Sequence, residues 1–398
     1  MKNEFAMGEA ANAHGMDGTL VAHDWAPLTM EEVRELLIQF PRCGEPLEIL
    51  SVSPRPFSAA GVVATANGRV FIKRHHRSVR NREGLLEEHL FLKHLYAHGA
   101  HVPRVFVADS GETAIESGQW TYELHEAPLE VDLYRDSLSW TPFQTTAHAR
   151  SAGQALAQLH CAAQGFDAPR RKPRPLIASF TILASDDPGA ALDRYFSARP
   201  ALALDPAVRE HANEAMALLA PFHAQLLPLL PALAPLWTHG DLHASNLLWS
   251  DMGKNARARS IIDFGLCDRT NAVHDLAHAI ERNIVEWLVL VEHPLQPEKV
   301  PVHIDLLRAL LDGYESIRPL SNEEAAALAP MTALCHAEFA LSEADYFLGI
   351  LHSEEKARMA YEGWLVGHAR WFQSAAGVRL LQELSYWSVD PKQMGTKA

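Results

Sequence analysis

The stretch Trp237–Asp275, WTHGDLHASNLLWSDMGKNARARSIIDFGLCDRTNAVHD, holds the densest chemistry in the chain. A polar, turn-rich loop, His239-Gly240-Asp241-Leu242-His243-Ala244-Ser245-Asn246, precedes the apolar run Leu247-Leu248-Trp249. A second apolar run, Ser260-Ile261-Ile262, ends on Asp263-Phe264-Gly265. Two short strand-like runs, each delivering an acid or amide beside a glycine, read as a hairpin bearing one site. Phosphoryl transfer from ATP calls for such parts. One carboxylate orients the acceptor hydroxyl and receives its proton, while an amide oxygen and a second carboxylate hold Mg²⁺.

A rival reading takes His239, Asp241 and His243 as a metal-ligand cluster in a hydrolase. It leaves Asn246 and Asp263 unexplained, and no other tight His/Asp cluster completes a ligand set. The phosphoryl-transfer reading uses every polar residue of the stretch.

These residues resemble the aminoglycoside phosphotransferase and choline kinase group of small-molecule kinases. That family's loop reads His-Gly-Asp, a short spacer and Asn, followed downstream by Ile-Asp-Phe-Gly. Here the same order stands as His239-Gly240-Asp241 with Asn246, then Ile262-Asp263-Phe264-Gly265. Protein kinases usually carry arginine at the position of Gly240, which points to the small-molecule branch. The resemblance implies Asp241 as the catalytic carboxylate, Asn246 and Asp263 as Mg²⁺ ligands, and Asp275 as a brace for the loop. Some features, Gln-Trp-Thr-Tyr-Glu-Leu and Asp-Leu-Ala followed by Glu281-Arg282-Asn283 among them, look like the homoserine-kinase-like branch. Glu281, Arg282, Glu338 and Tyr346 either face the acceptor or cover helices.

Upstream, Thr29-Met30-Glu31-Glu32 is a capping-box pattern opening a helix through Phe40. Ile49–Val52 and Gly61–Thr65 read as strands around a small-residue loop able to fold over phosphates. Asn67-Gly68 is a hairpin turn leading to the strand Val70-Phe71-Ile72-Lys73. Arg74, His75, His76 and Arg77 read as an exposed turn. The resemblance gives Lys73 the α/β-phosphates and a glutamate partner on the next helix, Glu88 in preference to Glu87. Val102–Val107 and Trp120–Leu124 read as further strands, and His125-Glu126-Ala127-Pro128 as a hinge. By position, the backbone from Glu123 to His125 is the candidate adenine contact.

Helical patterns follow from Thr145, from Asp205 with Pro206 at its first position, from Asp275, and from a second capping box at Ser321–Glu324. Strands first and helices afterwards indicate an α+β chain. The resemblance implies a bilobal protein-kinase-like fold, with a small N-terminal β-sheet lobe carrying one helix and a larger, mostly helical C-terminal lobe. The expected division is a loose tail over residues 1–28, a nucleotide-binding lobe over 29–125 and a catalytic lobe over 126–398, with a second loose tail at Asp390–Ala398.

The 398 residues are 48% hydrophobic and 21% charged, with a formal net charge of −14. That balance argues against a nucleic-acid partner. Four scattered cysteines with no CxxC pair fit a reducing cytoplasm, and no signal peptide or membrane-length apolar run is evident. The expected reaction is ATP (or GTP) with Mg²⁺ and a small-molecule hydroxyl: an amino alcohol, an amino acid such as homoserine, an aminoglycoside or a sugar. A catalytically weak, kinase-like nucleotide-binding protein is the alternative, although Lys73, Asp241, Asn246 and Asp263 are all retained.

Overall fold

A computed structural model of the chain describes residues 13–14, 20–21, 23–289 and 299–389. The tail expected at Asp390–Ala398 lies outside these residues, as does most of the tail expected over residues 1–28. After a two-residue antiparallel pair, β1 (Ala13–His14) with β2 (Leu20–Val21), the chain forms two compact units. The first comprises Met1–His89 and Pro103–Leu129, the second Leu90–Val102 and Glu130–Ala398.

The first unit is built on an antiparallel sheet ordered β3-β4-β5-β7-β6. Its strands are β3 (Pro46–Val52), β4 (Ala59–Thr65), β5 (Gly68–His76), β6 (Ala114–Ser117) and β7 (Trp120–Glu126). Helix α1 (Met30–Leu37) starts at Thr29, whose capping box with Glu32 forms as expected. Val33, Leu36 and Leu37 pack with Val70, Ile72 and Leu124 into one core. Helix α2 (Arg82–Ala97) follows β5.

Three expectations need correction. The run Arg74–His76 is not an exposed turn, because β5 continues to His76 and buries both Arg74 and His75. Partners make that burial affordable: Glu32 pairs with Arg74 and Glu123 bonds His75. Val102–Val107 forms no strand; it makes a single bridge, Val105 to His125, flanked by the Phe106 N–H to the Leu124 carbonyl and the Glu126 N–H to the Arg104 carbonyl. The last residues of the expected tail are also ordered against the sheet. Trp25 stacks on His76 at 4.8 Å, and Leu28 joins the core.

The second unit is mainly helical. Thr145 caps α3 (Thr146–Ala162), Asp187 caps α4 (Pro188–Ser197), and Asp205 caps α6 (Pro206–Leu226), with the short α5 (Pro200–Leu204) between the last two. Four short strands come next: β8 (Pro235–Thr238), β9 (Leu247–Trp249), β10 (Ala258–Ile261) and β11 (Asp268–Asn271). Helix α7 (Ala272–Ile284) begins three residues before Asp275, with Asn271 as its cap. Then come α8 (Ile304–Glu315), α9 (Asn322–Leu334) behind the Ser321–Glu324 capping box, and α10 (His336–Gly349). The C-terminal helices include a π-helical stretch, Met359–Gly367. The segment Pro206–Ala232 is, contrary to expectation, long and apolar enough to cross a membrane by length and composition. Its buried residues Val208, Ala212, Ala215, Leu219, His223 and Leu226 form one helical stripe, the pattern of a helix packed on a protein interior.

Helices α3 and α8 approach to backbone contact. A Cβ added at Gly153 would stand 2.0 Å from the Leu310 carbonyl oxygen, and one at Gly313 would stand 2.0 Å from that of Arg150. Gly313→Ala must therefore push the two helices apart. It is expected to lower unfolding stability by about 1–3 kcal/mol in urea titrations. Gly363→Ala, at a site with open space, should change stability little; equal effects of the two would refute this packing.

Candidate active site

In the second unit, β8 pairs with β11 and β9 with β10, so both polar segments emerge from one small framework. The loop 239–246 links β8 to β9, and β10 runs directly into Ile262-Asp263. Gly240 has φ +77, and a Cβ there would meet the Leu266 carbonyl oxygen at 2.5 Å. A side chain at this position would separate the loop from the Phe264–Leu266 turn. Asp263 itself adopts φ 60 and ψ 72, and its carboxylate accepts the Gly265 N–H at 3.4 Å. Aspartate is among the residues that tolerate this left-handed conformation.

Asp275, on the first turn of α7, anchors the start of the loop. Its carboxylate accepts the N–H groups of His239 at 2.9 Å and Gly240 at 2.7 Å. It also bonds His160 Nε2 at 3.0 Å, and the other nitrogen of that ring meets Tyr314 Oη at 2.7 Å. Burial alone would raise the Asp275 pKa, but His160, His239 and the Gly240 N–H hold it well below the usual carboxylate range.

His239 ties the two halves of the site together. Its Nε2–H donates to the Ile262 carbonyl at 2.9 Å, and its Nδ1 accepts the Asp241 N–H at 3.1 Å. Burial lowers its pKa, in keeping with a neutral ring. Both nitrogens are thereby committed, which removes the hydrolase cluster of His239, Asp241 and His243.

Asn246 donates from Nδ2 to the Asp241 carbonyl at 2.8 Å and to its Oδ2 at 3.3 Å. Its amide oxygen is thus the atom left for a hard cation. Asp241 is partly exposed, with His243 Nε2 3.7 Å from Oδ2 and the Arg282 guanidinium in contact with Oδ1. Arg282 is buried and lies 4.1 Å over the Phe339 ring. Burial brings its pKa down to about 10, which leaves it charged at neutral pH. Asn283 accepts the Ala244 N–H at 2.8 Å and donates to the Leu242 carbonyl at 2.9 Å.

Arg282 and Asn283 were not assigned to the loop from sequence. Their signal was present in the spacing, because residues seven and eight past Asp275 return to one helical face. Of the other C-terminal candidates, Glu338 instead binds the Thr181–Ile182 loop through the Thr181 hydroxyl and both backbone N–H groups. Glu281 Oε1 lies 2.9 Å from His368 Nδ1, and Tyr346 is buried.

In the first unit, Lys73 alternates with Arg74, so it shares a sheet face with Phe71 and His75 and is half-buried. Glu88 is buried and Glu87 is more open, which favours Glu88 as the paired residue. The adenine contact was expected at the backbone of Glu123 to His125. Glu123 and His125 pair with Lys73 and Phe71 across β5, while the Leu124 carbonyl accepts from Phe106 and the Glu126 N–H donates to Arg104.

Asp275→Ala should leave two buried N–H groups without an acceptor and His160 without its carboxylate. The expected loss is about 3–5 kcal/mol in urea unfolding at pH 7. Since the folded pKa is depressed, this contribution is present above about pH 4 and disappears as pH falls toward the folded value. A loss below about 1 kcal/mol would show that the loop does not depend on this carboxylate.

Residues 59–320 match the phosphotransferase enzyme family. Homoserine kinase of Gluconobacter oxydans (strain 621H) is 25% identical over 240 residues, 60% of this chain and 63% of its own. Homoserine kinase of Phenylobacterium zucineum (strain HLK1) is 26% identical over 309 residues, 76% of this chain and 81% of its own. Among solved structures, a microcompartment-associated aminopropanol kinase superposes with a TM-score of 0.57 at 18% identity, over 88% of this chain and 100% of that one. A spectinomycin phosphotransferase complex with ADP and its antibiotic gives a TM-score of 0.51 at 13% identity, over 91% and 99%. At such identities the structures establish the kinase-like fold, and the chain spans under two thirds of the length of the Gluconobacter relative; the family match goes further, and the chain belongs to the phosphotransferase enzyme family.

Proposed function

We propose that the enzyme transfers the γ-phosphoryl group of ATP to the hydroxyl of a small amino alcohol or hydroxy amino acid. The observation that carries this reading is the Asp241 carboxylate, partly open to solvent and gripped from behind by Arg282. An anchored carboxylate can position one hydroxyl within hydrogen-bonding reach. With an ordinary pKa near 4, aspartate is too weak a base to ionise an alcohol in advance. It instead orients the oxygen and accepts the proton late, after bond breaking to phosphorus has advanced.

The amide oxygen of Asn246 and the exposed carboxylate of Asp263 fit Mg²⁺, as hard oxygen donors. When bound, the ion would neutralise phosphate charge. Lys73 would contact the nucleotide phosphates with Glu88 fixing its ammonium, and Ala127–Leu129, where β7 has ended, would supply the adenine contact.

The region after Asp263 supports a small acceptor over a peptide. Leu266 closes a tight turn, β11 pairs with β8, and Asn271 already caps α7. That leaves no long segment on which a peptide could lie. The relatives named for homoserine and the neighbour named for aminopropanol share one feature, a hydroxyl on a short chain bearing an amine.

ADP release measured over amino alcohols, hydroxy amino acids, sugars and aminoglycosides should single out the first two classes. Asp241→Asn should lower turnover on the best acceptor by about 10²–10⁴-fold. Phosphorylation of peptides with every small alcohol inert would reverse the proposal. Lys73→Ala should cost about 10²-fold or more in turnover while leaving the fold intact. Arg74→Ala, by contrast, should lower thermal stability with a smaller effect on turnover, because Arg74 pairs with Glu32 in the core. A larger turnover loss from Arg74→Ala would reassign the phosphate contact.

A further inference from the structure

One face of the first unit's sheet holds a cluster that phosphoryl transfer leaves unused. Glu123 and His125 project together from β7, two residues apart, while His75 comes from β5 and His89 from α2. All four are buried, none more than 8% exposed. Oε2 of Glu123 meets Nε2 of His89 and Nε2 of His125, each at 2.8 Å. Oε1 meets Nε2 of His75, also at 2.8 Å. On the far side of the His89 ring, Nδ1 meets the Thr113 hydroxyl at 2.8 Å.

We propose that His89, His125 and Glu123 form a binding site for a divalent transition metal, with zinc as the first choice. Their ligand atoms lie within 4.8 Å of one another. Two imidazoles and one carboxylate suit zinc and neighbouring first-row ions. Tetrahedral ligands on bonds of about 2.0–2.1 Å stand about 3.4 Å apart, so the two 2.8 Å separations from Glu123 Oε2 would open by about half an ångström around an ion. The outer contacts fit at two of the three ligands, His89 and Glu123, whereas His125 Nδ1 is buried without a hydrogen-bond partner. A metal-bound imidazole donates its second N–H outward, and a ligating carboxylate is hydrogen-bonded at its remaining oxygen. The Thr113 hydroxyl is placed to serve His89 in this way, and His75 to serve Glu123.

Lys73 stands directly across the ladder from Glu123. Its charge disfavours a hard cation held by electrostatics alone and leaves the advantage to an ion that bonds neutral nitrogen. His89 follows Glu88 on α2, so an ion here would clasp that helix to β7 beside the residue assigned to steady Lys73. The site stands apart from the acceptor chemistry and does not depend on it.

The test uses untagged full-length protein, stripped with a chelator, given one equivalent of Zn²⁺ in excess MgCl₂ and desalted. Plasma mass spectrometry should find about one zinc per chain, and the melting temperature should rise over the stripped form. Glu123→Gln and His89→Gln should each lower zinc affinity by at least about 10-fold. His94→Gln/His98→Gln removes a stacked histidine pair outside the cluster and should leave retention unchanged. Cobalt-loaded wild type, which needs no variant to fold, should show visible absorption of a ligated ion. No retained zinc and no cobalt spectrum would overturn the proposal, leaving a hydrogen-bonded cluster alone. Retention by Glu123→Gln equal to wild type, or loss with the His94/His98 variant, would overturn it equally.

Discussion

The buried carboxylate of Asp275 holds the loop 239–246 to the helices behind it. Two consecutive N–H groups, of His239 and Gly240, point into the interior with no strand or helix to receive them. Left unpaired, each would carry a penalty of about 1–3 kcal/mol. Asp275 accepts both and passes the constraint on through His160 to Tyr314, which joins α3 and α8 to the same network. The glycine contact between those two helices brings them close enough for this relay to form. Further along α7, Arg282 reaches the Asp241 carboxylate and Asn283 fixes the backbone at Leu242 and Ala244. One helix thus sets the start of the loop, its Asp241 carboxylate and its exit.

His239 completes the arrangement by acting as a neutral spacer. It donates to Ile262, one residue before Asp263, while accepting from Asp241. The separation between the loop and the end of β10 is therefore fixed by one imidazole ring. Gly240 is the companion requirement, since a side chain there would strike the turn after Asp263. The pattern His-Gly-Asp is a set of packing and hydrogen-bonding demands around the acid as well as a label for it.

Much of this was readable from local chemistry. The capping boxes at Thr29–Glu32 and Ser321–Glu324, and the caps Thr145 and Asp205, use contacts within one turn, and each helix begins where its cap indicates. The loop 239–246 and the run 260–265 carried their own turn and strand signals. Long-range partners were harder to see. Arg74 and His75 look like turn residues until Glu32 and Glu123, far away in sequence, bury them in β5. Val102–Val107 has strand-forming residues, but its pairing is limited to one bridge beside Pro103. The adenine contact was assigned by position, and the pairing of β7 with β5 on one side and with Arg104 and Phe106 on the other carried no local signal. Arg282 shows the same limit, since helical spacing puts it on the face of Asp275 but cannot say that it touches Asp241.

The most direct test of the account is a crystal structure of the enzyme with Mg²⁺ and a non-hydrolysable ATP analogue. The account predicts oxygen atoms of Asn246 and Asp263 at about 2.0–2.1 Å from the ion, the distance Mg²⁺ requires. It also predicts that Asp275 still holds the His239 and Gly240 N–H groups. An ion coordinated by neither Asn246 nor Asp263, with nucleotide bound, would contradict it.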